Sequence, residues 1–336
     1  MRIAHRLPVA LLGATLALTA CAGPGEEPEP AESAEPGTDT AAATCAPPAA
    51  DPDRPGVGDG TFPVTLTDAT GEVTLEAAPE RIVSLSPSHT EMLFAIGAGD
   101  LVEAADEYSD YPPEAPTTDL SGFTPSVEAV TEYDPDLVVM SDSTVEVAEQ
   151  LGEVDIPTLV LPAAATLEDT YAQIRLLGDA TGHSEDADAE ATRVETEFAE
   201  VVEEVCAEAG ASGLTFYQEL DETPYAATSA TFVGQVYSSF GLVNIADAAD
   251  EDGAAGGYPQ LSQEYIVEED PDLIYLSYGD EAAARAVAER PAFDTVTAVQ
   301  NDAVYLLDAD IASRWGPRVV DFARLVGDTV LENTDK

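Results

Sequence analysis

Two hydrophobic periods follow one another along the chain. Phe62-Pro63-Val64-Thr65-Leu66-Thr67-Asp68 alternates apolar and polar residues, and Gly71-Glu72-Val73-Thr74-Leu75 repeats the alternation, which predicts a β-hairpin. Arg81-Ile82-Val83-Ser84-Leu85 instead carries a short continuous apolar run, the mark of a strand buried on both faces in a parallel sheet. Ser86-Pro87-Ser88 follows, and Ser88 with Glu91 three residues on has the spacing of a capping box. It opens a helix through Met92, Phe94 and Ile96 that Gly97 and Gly99 stop. Strand, helix and strand then recur, so the folded region belongs to the α/β class.

One pattern occurs twice. Ser126-Val-Glu128-Ala-Val-Thr-Glu132-Tyr-Asp134-Pro135-Asp136-Leu137-Val-Val-Met-Ser141 aligns without gaps to Ser262-Gln-Glu264-Tyr-Ile-Val-Glu268-Glu-Asp270-Pro271-Asp272-Leu273-Ile-Tyr-Leu-Ser277. Each copy reads as a short helix, a proline turn and a buried strand, because Asp-Pro-Asp cannot continue a helix and the apolar run suits a sheet. The matching serine and glutamates upstream point to two lobes of like topology rather than a chance reuse of one connection.

Between the copies lies the longest helical period. Ala187, Ala191, Val194, Phe198, Val201, Val202 and Val205 recur at helical spacing, and Glu190, Glu197, Glu200, Glu203 and Glu204 make the opposite side acidic. Gly210 and Gly213 end it. Some 25 residues give roughly 37 Å of helix at 1.5 Å per residue, enough to bridge two lobes. A single helical bridge bends less readily than strand linkers, so small lobe closure is expected. The organisation expected is a leader over 1–20, a tether over 21–60, an α/β lobe over 61–183, an interlobe helix over 184–210 and a second lobe over 211–333.

Composition narrows the class. Of the 336 residues, 45% are apolar, so the chain can bury a core. Acids number 66 against 12 Lys+Arg, a formal charge of −54, and the only lysine is Lys336. Such a field repels phosphates and excludes nucleic acid as a partner. The acidity reads as a solvated surface rather than as calcium sites, since Asp250-Glu251-Asp252-Gly253 lacks the later ligands of a calcium loop. Arg2 and Arg6 precede an apolar run over 7–20 that is too short to span a bilayer as a mature helix. It ends in Leu18-Thr19-Ala20-Cys21, which resembles a bacterial lipobox, with Cys21 the acylated residue and the membrane reached through that anchor alone. The following stretch to about residue 60 is rich in Pro, Ala, Glu, Thr and Gly without an apolar period, as a tether requires. Cys45 and Cys206 are the remaining cysteines; a disulfide is chemically open to them outside the cell, but two spare cysteines argue weakly, and they are expected to stay unpaired.

Candidate chemistry is sparse. A bare transition metal needs several histidines with carboxylates, and beyond the leader only His89 and His183 occur. His183 follows Gly182 at a helix end, a place that favours the dipole. No Gly-x-Ser-x-Gly elbow, His-Glu-x-x-His or phosphate loop is found. A lipid-anchored extracellular hydrolase working with paired carboxylates is the alternative that so acidic a chain leaves open. Otherwise no catalysis and no cofactor are expected.

Arg81-Ile-Val-Ser-Leu-Ser-Pro-Ser-His-Thr-Glu91, Glu107-Tyr108-Ser-Asp-Tyr111-Pro112-Pro113 and the Asp-Pro-Asp segments resemble the extracytoplasmic binding proteins for cobalamin and ferric siderophores that serve ABC importers. The likeness spans about residues 62–331. Tyr-Ser-Asp-Tyr-Pro-Pro and Tyr258-Pro259-Gln260-Leu261-Ser262 resemble the cobalamin branch most. The resemblance implies two Rossmann-like α/β lobes joined by one long helix, the class III periplasmic binding protein fold. It also implies a metal chelate held between the lobes, cobalamin or another corrinoid first and ferric siderophore or haem next. The implied partner is a permease dimer with ATPase subunits, served by a monomer at the outer face of the cytoplasmic membrane.

By the same resemblance, Tyr108 and Phe123 of the first lobe and Tyr258 of the second would clasp the ring, Tyr258 standing where relatives often have Trp. Tyr108 and Tyr258 lie beside turn residues, as loops at a cleft do. Within Asp310-Ile-Ala-Ser-Arg314-Trp315, Asp310 and Arg314 would hydrogen-bond the ligand; alternatively Arg314 pairs with one of the many carboxylates nearby. Trp315, the only tryptophan, fits core and cleft equally. Glu128 and Glu264, one in each repeat copy, match the family's permease-docking glutamates, and a two-fold partner calls for such a symmetric pair.

Overall fold

A computed structural model describes residues 44–49, 58–141 and 145–334. The leader, the lipobox with Cys21 and most of the tether lie outside the described residues.

The elements in chain order are β1 (Val64–Asp68), β2 (Gly71–Leu75), β3 (Ile82–Leu85), α1 (Pro87–Ala95), β4 (Val102–Asp106), β5 (Thr117–Leu120), α2 (Val127–Thr131), β6 (Leu137–Met140), α3 (Val145–Gly152), β7 (Thr158–Val160) and α4 (Leu167–Thr181). After the helix α5 (Ser184–Ala209) come β8 (Thr215–Glu219), α6 (Phe232–Ser239), β9 (Val243–Asn244), α7 (Gln263–Glu269), β10 (Leu273–Leu276) and α8 (Glu281–Val287). α9 (Thr297–Gln300), β11 (Val304–Leu306), α10 (Ala309–Ser313) and α11 (Val319–Asn333) complete the chain.

Two parallel sheets result. The first lobe has the strand order β5-β4-β3-β6-β7 and the second β11-β10-β8-β9. β3, β6 and β10 are buried at every position, as their unbroken apolar runs require. The hairpin β1–β2 pairs antiparallel and is fastened to the first sheet where the Asp68 carboxylate accepts the Val160 N–H at 2.7 Å.

The repeat is structural as well as sequential. Ser126 caps α2 by accepting the Ala129 N–H, and Ser262 caps α7 by accepting the Tyr265 N–H. Asp134 and Asp270 both adopt φ 47°, the left-handed turn that ends each short helix. Asp136 then accepts the N–H groups of Glu80 and Arg81, at 2.8 and 2.9 Å. Asp272 does the same for the N–H and hydroxyl of Thr215, at 2.8 and 2.9 Å. In each lobe this aspartate thus latches the start of the neighbouring strand and sets its register.

α5 runs unbroken for 26 residues. Its stripe of Ala187, Ala191, Val194, Phe198, Val202 and Val205 is buried between α4 and α11, while Val201 is only partly covered. Two local expectations are corrected. The Ser88/Glu91 capping box does not form: Pro87, whose fixed φ suits the first helical position, starts α1 with Ser86 as its N-cap, and Glu91 turns inward. His183 does follow Gly182 at the end of α4, its N–H bonded to Gly178 O at 2.8 Å, and it is also the N-cap of α5, its Nδ1 3.0 Å from the Thr181 carbonyl.

Cys45 and Cys206, expected to be unpaired, form a disulfide. The segment over 44–49 lies against the second lobe through the bridge of Cys45 to Phe240 and the bond from Ala46 N–H to Ser239 O at 3.0 Å. That docking brings the two Cα atoms to 5.5 Å, within the span a disulfide closes. Residues 44–49 of the stretch read as tether are therefore held in place. Among the described residues no helix is long and apolar enough to cross a membrane.

Candidate functional site between the lobes

Parallel α/β sheets present their binding residues in loops at the carboxyl ends of their strands. A cavity of about 530 Å³ opens there. Leu85 to Ser88 at the end of β3, Asp106 and Tyr108 at the end of β4, Gly122 and Phe123 after β5, and Ser141 after β6 form the first-lobe side. Asp310, Ser313, Arg314 and Trp315, which follow β11, form the other.

The aromatic pair stands at this cavity. Tyr108 is 53% exposed and Phe123 73%, yet their rings meet edge to face with centroids 5.8 Å apart. Large exposed rings in mutual contact offer apolar area at low entropic cost. The backbone beneath them is fixed. Buried Asp106 accepts the Tyr108 N–H at 2.9 Å and the Ser109 hydroxyl at 2.8 Å. Ser109 continues through Thr90 to Ser84, at 2.9 and 2.8 Å. Burial pushes the Asp106 carboxyl above the ordinary carboxylate range, and the bonds from Tyr108 and Ser109 oppose that shift. Gly122 packs so closely that an added Cβ would lie 2.7 Å from the Leu85 carbonyl oxygen.

Arg314 is buried, and its guanidinium is committed within the protein. It donates to Glu91 Oε1 at 3.0 Å, to Asp110 Oδ1 at 3.1 Å and to the Tyr108 carbonyl at 3.0 Å, and pairs with Asp310 at 2.7 Å. Of the two readings open for it, pairing with carboxylates is the one the geometry displays. Its bond to the Tyr108 carbonyl makes it a positioning residue for that ring.

Arg318 completes the junction. It donates to Glu91 Oε2 at 2.9 Å and Oε1 at 2.5 Å, and its guanidinium lies 4.0 Å from the centre of the Tyr111 ring. Glu91 of the first lobe, only 3% exposed, is thus clamped by two arginines of the second. A carboxylate so buried is retained only with such partners. Behind it a smaller recess of about 340 Å³ is lined in part by Arg193, Arg318 and Arg324. Arg324 reaches Glu197 of α5 at 2.8 Å. Of the eight arginines among the described residues, these three and Arg314 gather at the lobe junction.

Trp315 belongs to the cleft wall, partly buried, with its Nε1–H lacking a protein acceptor. Its ring approaches His89 edge-on, centroids 6.3 Å apart. His89 is fully buried, with Nε2 3.2 Å from Gln173 Oε1, and desolvation lowers its pKa to about 4.

Four expected residues therefore meet at one cavity: Tyr108, Phe123, Asp310 and Arg314. Tyr258 is not among the residues lining it. Its loop is tied to residues 226–228 by Ala226 N–H to Pro259 O and Thr228 N–H to Gly257 O, both 2.9 Å. Glu128 and Glu264 occupy the second position of α2 and α7, exposed and without an ion-pair partner among the described residues. Asp110, Tyr111 and Arg318 had no assigned role from sequence, and Glu91 was read only as half of a capping box. In a chain so poor in cations, Arg314 and Arg318 four residues apart were the available signal that a buried acid awaited them. No cluster of metal-ligating side chains occurs among the described residues.

Residues 82–311 match the Periplasmic binding protein family. A cobalamin-binding protein of Halobacterium salinarum is 31% identical over 271 residues, covering 77% of this chain and 72% of its own. An uncharacterized ABC transporter substrate-binding lipoprotein of Bacillus subtilis is 28% identical over 283 residues, or 82% and 88% of the two chains. Among solved structures, the periplasmic vitamin B12 binding protein BtuF of Vibrio cholerae shares 25% identity over 77% of this chain and 99% of its own, with a TM-score of 0.64. Two α/β lobes on one long helix, a cleft between them and a family match across most of both lobes lead to one assignment: the chain belongs to the periplasmic binding protein family, whose members capture substrates for transport and catalyse no reaction.

Proposed function

We propose that this protein is the lipid-anchored, extracytoplasmic receptor of an ABC importer and that its ligand is a metal chelate, a corrinoid such as cobalamin before a ferric siderophore or haem. The observation that carries the reading is the exposed Tyr108–Phe123 pair at the mouth of a cavity of about 530 Å³. Rings held on a fixed backbone suit a large, flat, partly apolar complex better than a small polar solute. The likeness to a cobalamin-binding protein and a vitamin B12 binding protein supports the corrinoid.

Binding is reversible, with no bond made or broken. The hydroxyls of Ser86, Ser88 and Ser313 stand where they would meet a polar rim, and Arg314 holds the Tyr108 loop. Cys21 is the proposed lipid attachment point at the outer face of the cytoplasmic membrane. Glu128 and Glu264 are the proposed contacts to the permease dimer, one from each lobe.

Calorimetric titration with cyanocobalamin, a ferric hydroxamate and haemin tests the reading. A saturable one-to-one response to one of them is expected, and heats of dilution with all three would overturn it. Glu128→Ala with Glu264→Ala should lower uptake in cells and leave affinity unchanged; weakened affinity would move both residues from docking to the cleft.

A further inference from the structure

We infer that the cleft selects among chelates by charge, accepting neutral or cationic complexes and refusing anionic ones. This rests on the chelate reading and adds a property that reading leaves open.

A chelate with carboxylate or catecholate charge needs a cation with donors to spare. Among the described residues lining the cavity the only cation is Arg314. Its guanidinium faces Glu91, Asp110, Asp310 and the Tyr108 carbonyl. The next cation, Arg318, is engaged by both oxygens of Glu91 and by the face of Tyr111. Against these two guanidiniums stand Glu91, Asp106, Asp110 and Asp310. Asp310, 48% exposed, lines the opening itself, and Asp110, 62% exposed, shares the Arg314 guanidinium with it.

The opposing feature is the start of α1 at the cleft wall. Its Ser86 side chain caps no N–H, and Pro87 has none to offer, so the N–H groups of the next residues face outward from the first turn. A helix start carries about half a positive charge, which does not offset an excess of two carboxylates. It does serve a neutral acceptor, as do the hydroxyls of Ser86, Ser88 and Ser313. The cleft is therefore equipped for amide or hydroxyl rims over an apolar face, inside a molecule whose formal charge of −54 already repels anions at a distance.

Matched pairs isolate charge from shape. One pair is cyanocobalamin and its tricarboxylate, made by hydrolysing three side-chain amides. The other is a ferric trihydroxamate with an ammonium tail and the same complex with that tail succinylated. In about 50 mM NaCl the anionic member of the bound pair should be weaker by about thirtyfold or more. In about 1 M NaCl, or with Asp310→Asn, the gap should narrow to less than about tenfold, because the exposed carboxylates are screened or removed. Equal affinity within a pair overturns the charge inference alone. A gap that neither salt nor Asp310→Asn changes also overturns it, since the discrimination would then be steric. Failure of the neutral and cationic members of both pairs to bind overturns the chelate reading and this inference with it.

Discussion

Replacing Glu91 by glutamine keeps the shape of the side chain and removes its charge. The carboxylate lies between Arg314 and Arg318, its side chain 2% exposed and theirs 9% and 16%. Glutamine offers one acceptor oxygen and turns an N–H₂ toward a guanidinium. Removing one member of a buried ion cluster costs about 3–5 kcal/mol, since the remaining charge stays desolvated. Arg314 keeps Asp110 and Asp310, and Arg318 keeps the Tyr111 ring and the field of Asp308, so the lower end, about 3 kcal/mol, is expected. For a folded region of this size that corresponds to a fall in Tm of about 6–12 °C. Scanning calorimetry measures it, with Arg193→Gln as control, because Arg193 is 43% exposed and such surface pairs contribute about 0–1 kcal/mol. Trp315 adjoins Arg314 and is the only tryptophan, so its emission should move to the red if the junction loosens. A shift below about 2 °C, or no larger than that of the control, would refute the idea that this cluster bolts the lobes together.

Gly122→Ala places a Cβ 2.7 Å from the Leu85 carbonyl oxygen, a backbone atom that cannot swing aside, and should cost about 1–3 kcal/mol while displacing Phe123 and weakening chelate binding; Tm and affinity measured together check this. His89 has a folded pKa of about 4, below its usual 6.5, so the folded state favours the neutral ring. Its contribution to stability is complete above about pH 6.5 and erodes by on the order of 3 kcal/mol as the pH falls to about 4. Imidazole NMR should find His89 neutral at about pH 5, and a charged ring there would contradict its burial. Reducing the Cys45–Cys206 disulfide frees a closure over 161 residues, which on the chain-entropy model costs at most about 5 kcal/mol; calorimetry with and without reductant should show a clear loss of Tm.

Legibility in the sequence followed the range of the interactions. The repeat was readable because each copy carries its own determinants: Ser126 or Ser262 as cap, Asp134 or Asp270 as turn, Leu137 or Leu273 opening the strand. α5 was readable because 26 residues hold one apolar period. Tyr108 and Phe123 were found through a resemblance, and their neighbouring turns agreed. Glu91 was misread as half of a capping box, because its partners lie 223 and 227 positions away, where local spacing carries no information. Arg314 showed its scarcity but not its partners. The Cys45–Cys206 pairing depended on the packing of residues 44–49 against the second lobe, which no period announces. Tyr258 matched a motif, yet the hydrogen bonds of its loop to residues 226–228 decide where that loop rests.

The most direct test of chelate capture between the lobes is a crystal of the complex, with diffraction recorded on both sides of the chelated metal's absorption edge. The expected result is one anomalous peak in the cavity bounded by Tyr108, Phe123, Asp310 and Trp315, with the macrocycle or chelate face against the aromatic pair. A peak on the outer surface of either lobe, with that cavity empty, would contradict it.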